Sequence, residues 1–174
     1  MKNSRLILVD SDPYTSSILI EDLSRRGFDN VRAAAGNSEL SECLRLEQPD
    51  MVIFNYHFDR PDSLSSCGII KSSSPQSSIV VIVSPGPALK AVRSWEKQNQ
   101  CIDAIIEKPL SEEHFLKTLD DLLKVKESSR RLEAKAERLA NLVSEGALSA
   151  IEGNFSNEGE IFEAAVLFTD MRDR

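Results

Sequence analysis

No apolar stretch in the chain approaches the roughly 18 residues that a membrane-spanning helix needs, so no transmembrane segment and no membrane partner are expected. Positive charge is also scarce. The 21 Lys and Arg stand against 28 Asp and Glu, a formal net charge of −7. A nucleic-acid surface needs clustered Lys and Arg, which argues against that class of partner. Cysteine is limited to Cys43, Cys67 and Cys101, which lie far apart in neither a metal-binding spacing nor an even disulfide set. Reduced thiols in a cytoplasmic protein are therefore expected. Met1 to Arg5 lead straight into a strand pattern, without the apolar core of a signal peptide. What remains is a chain of 174 residues, 41% hydrophobic and 28% charged. That length accommodates one ordinary domain with an appendage, or two small domains.

Five apolar runs of strand length recur along the first two thirds of the chain: Leu6 to Val9, Val31 to Ala35, Met51 to Asn55, Ile79 to Val83 and Cys101 to Ile106. Helical spacing lies between them. Asp12 is a candidate N-cap with Pro13 in the first turn, Ile18, Leu19, Leu23 and Arg26 follow, and Gly27 ends that helix. Ser38 to Leu46 reads as a second helix whose buried side is Leu40, Cys43, Leu44 and Leu46. Ser65 to Lys71 gives a short third, Ala88 to Trp95 a fourth, and a long segment starts near Ser111. Strands that are apolar on both faces and alternate with amphipathic helices indicate a doubly wound α/β domain with a five-stranded parallel sheet.

In such sheets the functional crevice lies at the carboxyl ends of the strands. Those ends carry Asp10-Ser11-Asp12, Asn55, Ser84 and Lys108. Asn55 is the most informative of them. A carboxylate there could accept a phosphoryl group, whereas a neutral amide, its nitrogen lone pair delocalised, cannot. His57 and His114 have no partner at ligand spacing and read as surface residues, and Trp95 as packing at the edge of the core.

The motifs LILVDSDP, PDMVIFN, IVVIVS and IIEKP appear in an order and spacing that make residues 1–122 resemble the receiver domain of two-component response regulators, a flavodoxin-like fold. The resemblance implies a Mg²⁺ site at an acidic pair after the first strand, a phosphoacceptor Asp after the third, a hydroxyl after the fourth, and a Lys before a cis proline. Asp10 matches the first acid, Ser84 the hydroxyl, Lys108 the lysine and Pro109 the proline. Ser11 replaces the second acid, Asn55 the phosphoacceptor, and Ile105 the usual switching aromatic. Mg²⁺ is usually held through one or two carboxylates plus other hard oxygens, and here only Asp10 remains, with Asp12 in its helix cap. Lys108 pointing into the crevice would face Asp10 and the Asn55 amide oxygen. The expectation is a pseudo-receiver that takes no phosphate and needs no cofactor, with a protein partner or a small ligand supplying the input. Phosphate transfer to Asp10 or Asp12 is the rival reading of the pocket. A stand-alone interaction module, whose tail binds a partner, is the rival reading of the whole.

From Phe115 a heptad seam continues through Thr118, Leu122, Val125, Ser129, Leu132, Ala136, Leu139 and Val143, flanked by charges of both signs, until Gly146. A narrow stripe of period 3.5 reads as a coiled coil. Residues 115–146 are therefore expected to form a dimerising helix continuous with the last receiver helix, and the chain a homodimer. Residues 147–174 read as a linker and the opening strand of a further domain. Within them AAVLFTDMR resembles the first strand of class III adenylate/guanylate cyclase domains, with Asp173 and Arg174 departing from the usual Gly and aromatic. That resemblance implies Asp170 as a metal-binding aspartate, with Mg or Mn and ATP or GTP, in a complete cyclase. The 174 residues themselves are not expected to be an enzyme.

Overall fold

A computed structural model describes residues 4–57 and 64–142, with side chains as far as residue 139. Five strands, β1 (Leu6–Val9), β2 (Val31–Ala34), β3 (Met51–Tyr56), β4 (Ser78–Val83) and β5 (Ala104–Glu107), alternate with five helices. The helices are α1 (Pro13–Arg25), α2 (Asn37–Leu46), α3 (Ser66–Ser73), α4 (Pro87–Asn99) and α5 (Glu112–Leu142). All strand pairs are parallel, and the order across the sheet is β2-β1-β3-β4-β5. This is the doubly wound five-stranded α/β architecture expected from the sequence, with the long C-terminal helix in place.

Side-chain alternation divides the core into two layers. Ile7, Val9, Val52, Phe54, Tyr56, Ile79, Val81 and Val83 point to one face and pack with Leu40 of α2, Cys67 and Ile70 of α3, and Ala88 and Val92 of α4. Leu6, Leu8, Met51, Ile53, Val80, Ile82 and Ile106 point to the other and pack with Leu23 of α1 and Phe115, Leu119 and Leu123 of α5. The three central strands are almost wholly buried, which explains their unbroken apolar runs.

Local expectations were corrected at three places. Leu46 is exposed, not buried, because six residues beyond Leu40 it lies 240° around the helix from it. Ile18 is also largely exposed, five residues and some 140° from Leu23. Cys101 and Ile102 precede β5 instead of opening it. Gln100 adopts the left-handed conformation at the end of α4, and the Ile102 amide donates to the Glu96 carboxylate, so these two residues pack on the core without joining the sheet. Gly27 ends α1 at a φ of 88°, a conformation that favours glycine, and donates its amide to the Ser24 carbonyl.

Residues Met1–Arg130 form one compact unit, and Arg131–Leu142, the rest of α5, belongs to a second. Within the first unit Leu122 is partly buried against the α1/α5 layer of the core. Val125, Leu132 and Leu139, each seven residues from the next, are 65%, 66% and 62% exposed. Ser129 and Ala136 between them are exposed as well. Val143, the rest of the expected seam to residue 146, and the 147–174 segment with Asp170 lie outside the described residues.

Leu119→Ala is expected to lower unfolding stability by about 2–5 kcal/mol, as for other fully buried leucines. Leu132→Ala should change it by less than about 0.5 kcal/mol in monomeric protein. Urea denaturation of both variants at low protein concentration checks the contrast.

Candidate functional site

The parallel register of β1 and β3 brings the key pair together. Leu6 lies beside Met51 and Val9 beside Phe54, a constant offset of 45 residues. Carried one step further, that offset sets Asp10 beside Asn55, both on the α1/α5 side of the sheet by strand alternation. They meet: the Asn55 amide Nδ2 donates to Asp10 Oδ2 at 2.7 Å. In sheets of this order the crevice opens between the ends of β1 and β3, so the pair stands in its floor. Both residues are buried, at 4% and 6% exposure.

Asp10 has three more partners. Thr15 Oγ1 donates to Oδ2 at 2.6 Å, the Asp12 amide donates to Oδ1 at 3.0 Å, and His57 Nε2 lies 3.3 Å from Oδ1. With Asp10 ionised, the last contact requires a proton on Nε2. Burial alone would raise the Asp10 pKa. The bonds from Asn55, Thr15, Asp12 and His57 outweigh it and hold the carboxyl below its usual value of 3.8. A carboxylate offers about four lone-pair directions, and here four neighbours use them. Asn55 Oδ1 is buried without a hydrogen-bond partner among the described residues.

The other expected site residues are placed around this pair without joining it. Ser11 is half-buried in the β1–α1 connection, and Asp12 caps α1 by accepting from the Tyr14 amide at 3.1 Å. Ser84 is exposed just beyond β4. Ile105 is partly buried in β5 and packs toward the α2–α4 layer. Lys108 donates its amide to the Val83 carbonyl at 2.8 Å, and the Lys108–Pro109 peptide is cis. Its ammonium group forms no ion pair with Asp10, whose charge is met by neutral donors and His57. The anticipated Lys108–Asp10 pairing is therefore replaced by Asn55–Asp10.

His57 was expected on the surface and instead borders the crevice, because it lies just past the end of β3, two residues beyond Asn55. Thr15 was not anticipated. Its legible signal is its place in the first turn of α1, five residues after Asp10, where a hydroxyl can reach back to the strand end.

The receiver resemblance implies a Mg²⁺ ion at this position, and the donor set among the described residues does not fit one. Among the described residues, the Asp10 carboxylate has both oxygens already hydrogen-bonded, Asp12 is engaged in capping α1, and positions 11 and 55 supply a hydroxyl and an amide. Among the described residues no cluster of three His, Cys, Asp or Glu side chains is assembled to hold a metal. No helix among them is long and apolar enough to cross a membrane.

Two measurable consequences follow from the Asn55–Asp10 bond. Asn55→Ala should cost about 1–3 kcal/mol of stability by leaving a buried carboxylate short of a donor. It should also move the Asp10 pKa upward in a carboxyl NMR titration. Since the Asp10 pKa is depressed in the folded protein, its stabilising contribution is complete above pH 3.8 and disappears as the pH falls through the lower folded value. That acid-side loss should be smaller in the Asn55→Ala variant.

No family model matches the sequence, and no curated protein matches it. Solved structures do. The signal receiver domain of an HD domain-containing protein from Pseudomonas fluorescens Pf-5 superposes with a TM-score of 0.65 at 21% identity, over 75% of this chain and 94% of that one. A structure from Rhodopirellula baltica described as adenylate cyclase gives a TM-score of 0.66 at 16% identity, over 78% of this chain and 98% of that one. NtrX from Brucella abortus, in complex with ATP, gives 0.65 at 19% identity, and there the match spans only 29% of the longer protein. Sheet order, crevice position and these superpositions together give one conclusion: the chain has the fold of a response-regulator receiver domain.

Proposed function

We propose that this chain is a regulatory signalling module whose receiver domain works without phosphorylation. The observation that carries this reading is the Asn55–Asp10 hydrogen bond. In place of a nucleophilic carboxylate beside a metal-binding one, the crevice contains an amide that neutralises its neighbour's hydrogen-bonding demand. The Asn55 amide cannot attack phosphorus, and both oxygens of the Asp10 carboxylate are already hydrogen-bonded. Input would come through a protein partner or a small ligand at this edge.

The output would pass along α5. Val125, Leu132 and Leu139 repeat at seven-residue intervals on one helix stripe and are exposed, an arrangement that a second copy of the same helix would cover. Because Leu122 packs on its own domain's core, the shared seam would begin at Val125 and run through Ser129, Leu132, Ala136 and Leu139 toward Val143. The small residues Ser129 and Ala136 weaken such a seam, which suits a helix that transmits a change better than one that clamps permanently. Downstream, the AAVLFTDMR run favours a class III nucleotide cyclase, with Asp170 holding Mg or Mn for ATP or GTP in the complete protein. On this reading the 174 residues have no catalytic activity of their own.

Incubation with acetyl phosphate and Mg²⁺ should leave the intact mass unchanged. Restoring the acids in the double variant Ser11→Asp, Asn55→Asp should allow a phosphoryl group to be gained. Labelling of the unaltered protein at Asp10 or Asp12 would instead favour an atypical phosphoacceptor. The double substitution Leu132→Asp, Leu139→Asp should convert dimers to monomers in light scattering, and an unchanged mass there would exclude the helix as the main interface.

A further inference from the structure

The opposite end of β3 carries a second buried carboxylate. Asp50 immediately precedes the strand and is 6% exposed. Its Oδ2 accepts from the Arg5 amide at 2.8 Å, and its own amide donates to the Arg5 carbonyl at 2.7 Å. Its carbonyl accepts from the Ser78 amide at 3.0 Å. One residue thus ties together the starts of β1, β3 and β4. Two cations of α5 converge on it. Lys126 Nζ donates to the Asp50 carbonyl at 2.8 Å and lies 3.5 Å from Oδ1, and Arg130 Nη1 lies 3.0 Å from Oδ1. Oδ1 has no well-directed hydrogen bond, so its contacts with these two groups are chiefly coulombic.

Lys126 is a costly residue to bury. It is 8% exposed on the face of α5 that carries Leu119 and Leu123, and burial lowers its pKa. Arg130 and Lys71 also repel it, with Asp50 the compensating charge. A leucine at 126 would extend the apolar stripe without desolvating an ammonium group. An apolar contact, however, is non-directional and tolerates rotation and sliding. An ammonium bonded to one carbonyl, with a guanidinium one helical turn on reaching the same residue, fixes both. This is also where the compact unit ends, at Arg130.

We propose that Asp50, Lys126 and Arg130 form a polar clamp that sets the rotation and axial position of α5 at the point where it leaves the compact unit, with the start of β3 as the reference. The clamp and the crevice are then the two ends of one strand, at Asp50 and Asn55. This inference goes beyond the phosphate-independent reading and stands whether or not that reading holds, since the crevice substitutions leave Asp50 and α5 untouched.

Hydrogen exchange followed by mass spectrometry on the full chain tests it. In Lys126→Met, whose side chain keeps the stem and loses the charge, amides in residues 121–130 should exchange at least tenfold faster, with β1, β3 and β4 unchanged. Arg130→Met should shift the same amides in the same direction by less. Because Lys126 also bonds the Asp50 carbonyl, which Asp50→Asn keeps, Asp50→Asn alone should accelerate the same amides by less than Lys126→Met does. Unchanged exchange at 121–130 in Lys126→Met would overturn the clamp, as would an equal acceleration throughout the sheet, which would make Lys126 a general stabiliser. Should Asp50→Asn fail to fold, the two methionine variants decide the question alone.

Discussion

The parallel pairing of β1 with β3 is the constraint on which the rest depends. Its 45-residue offset is fixed because a slip of one position would turn every buried side chain of either strand toward the wrong layer. With that register locked by Leu6, Leu8, Met51 and Ile53 on one side and Ile7, Val9, Val52 and Phe54 on the other, the polar residues at the strand ends have no freedom in whom they meet. Asp10 must find Asn55 at the carboxyl end, and Arg5 must find Asp50 at the amino end. The functional geometry is a by-product of hydrophobic packing in the middle of the strands.

The two buried carboxylates show two solutions to one electrostatic difficulty. A desolvated carboxylate is expensive, and a protein either supplies donors or supplies countercharge. Asp10 receives mostly neutral donors from Asn55, Thr15 and the Asp12 amide, with His57 at the rim. Asp50 receives the Arg5 amide together with the charges of Lys126, Arg130 and Arg5. In both cases the pKa ends below the ordinary value despite burial. The difference lies in what is joined. The Asp10 group unites residues close to one sheet edge, whereas the Asp50 group connects the sheet to a helix. Net stability from a buried ion pair is small once desolvation is counted, because the cost of dehydrating both ions offsets most of their attraction. The Asp50 contacts are better understood as giving direction than as adding stability.

Helix α5 changes its surroundings along its length. Phe115, Leu119 and Leu123 are committed to the core. Beyond Arg130 the helix has large apolar side chains at seven-residue spacing and exposed charges around them. A helix of about 30 residues can have both characters only because its apolar stripe differs between the two parts: a broad face against the sheet, then a narrow exposed row.

The order of strands and helices, the burial of β1, β3 and β4, and the neutral amide at position 55 were legible in the sequence, because hydrophobic periodicity and residue chemistry are local properties that no fold can alter. The same locality misled at Leu46 and Ile18, where apolar character was mistaken for burial, and at Cys101, where an apolar pair was mistaken for sheet. The sequence by itself therefore determined the fold class and which residue types stand at the carboxyl ends of the strands. Only the tertiary structure decided that Asn55 rather than Lys108 partners Asp10, that Thr15 and His57 complete that group, and that Lys126 turns inward to Asp50. Those pairings join residues five to 76 positions apart, and partner choice at such separations is set by register and helix rotation, which the packing of the whole domain fixes.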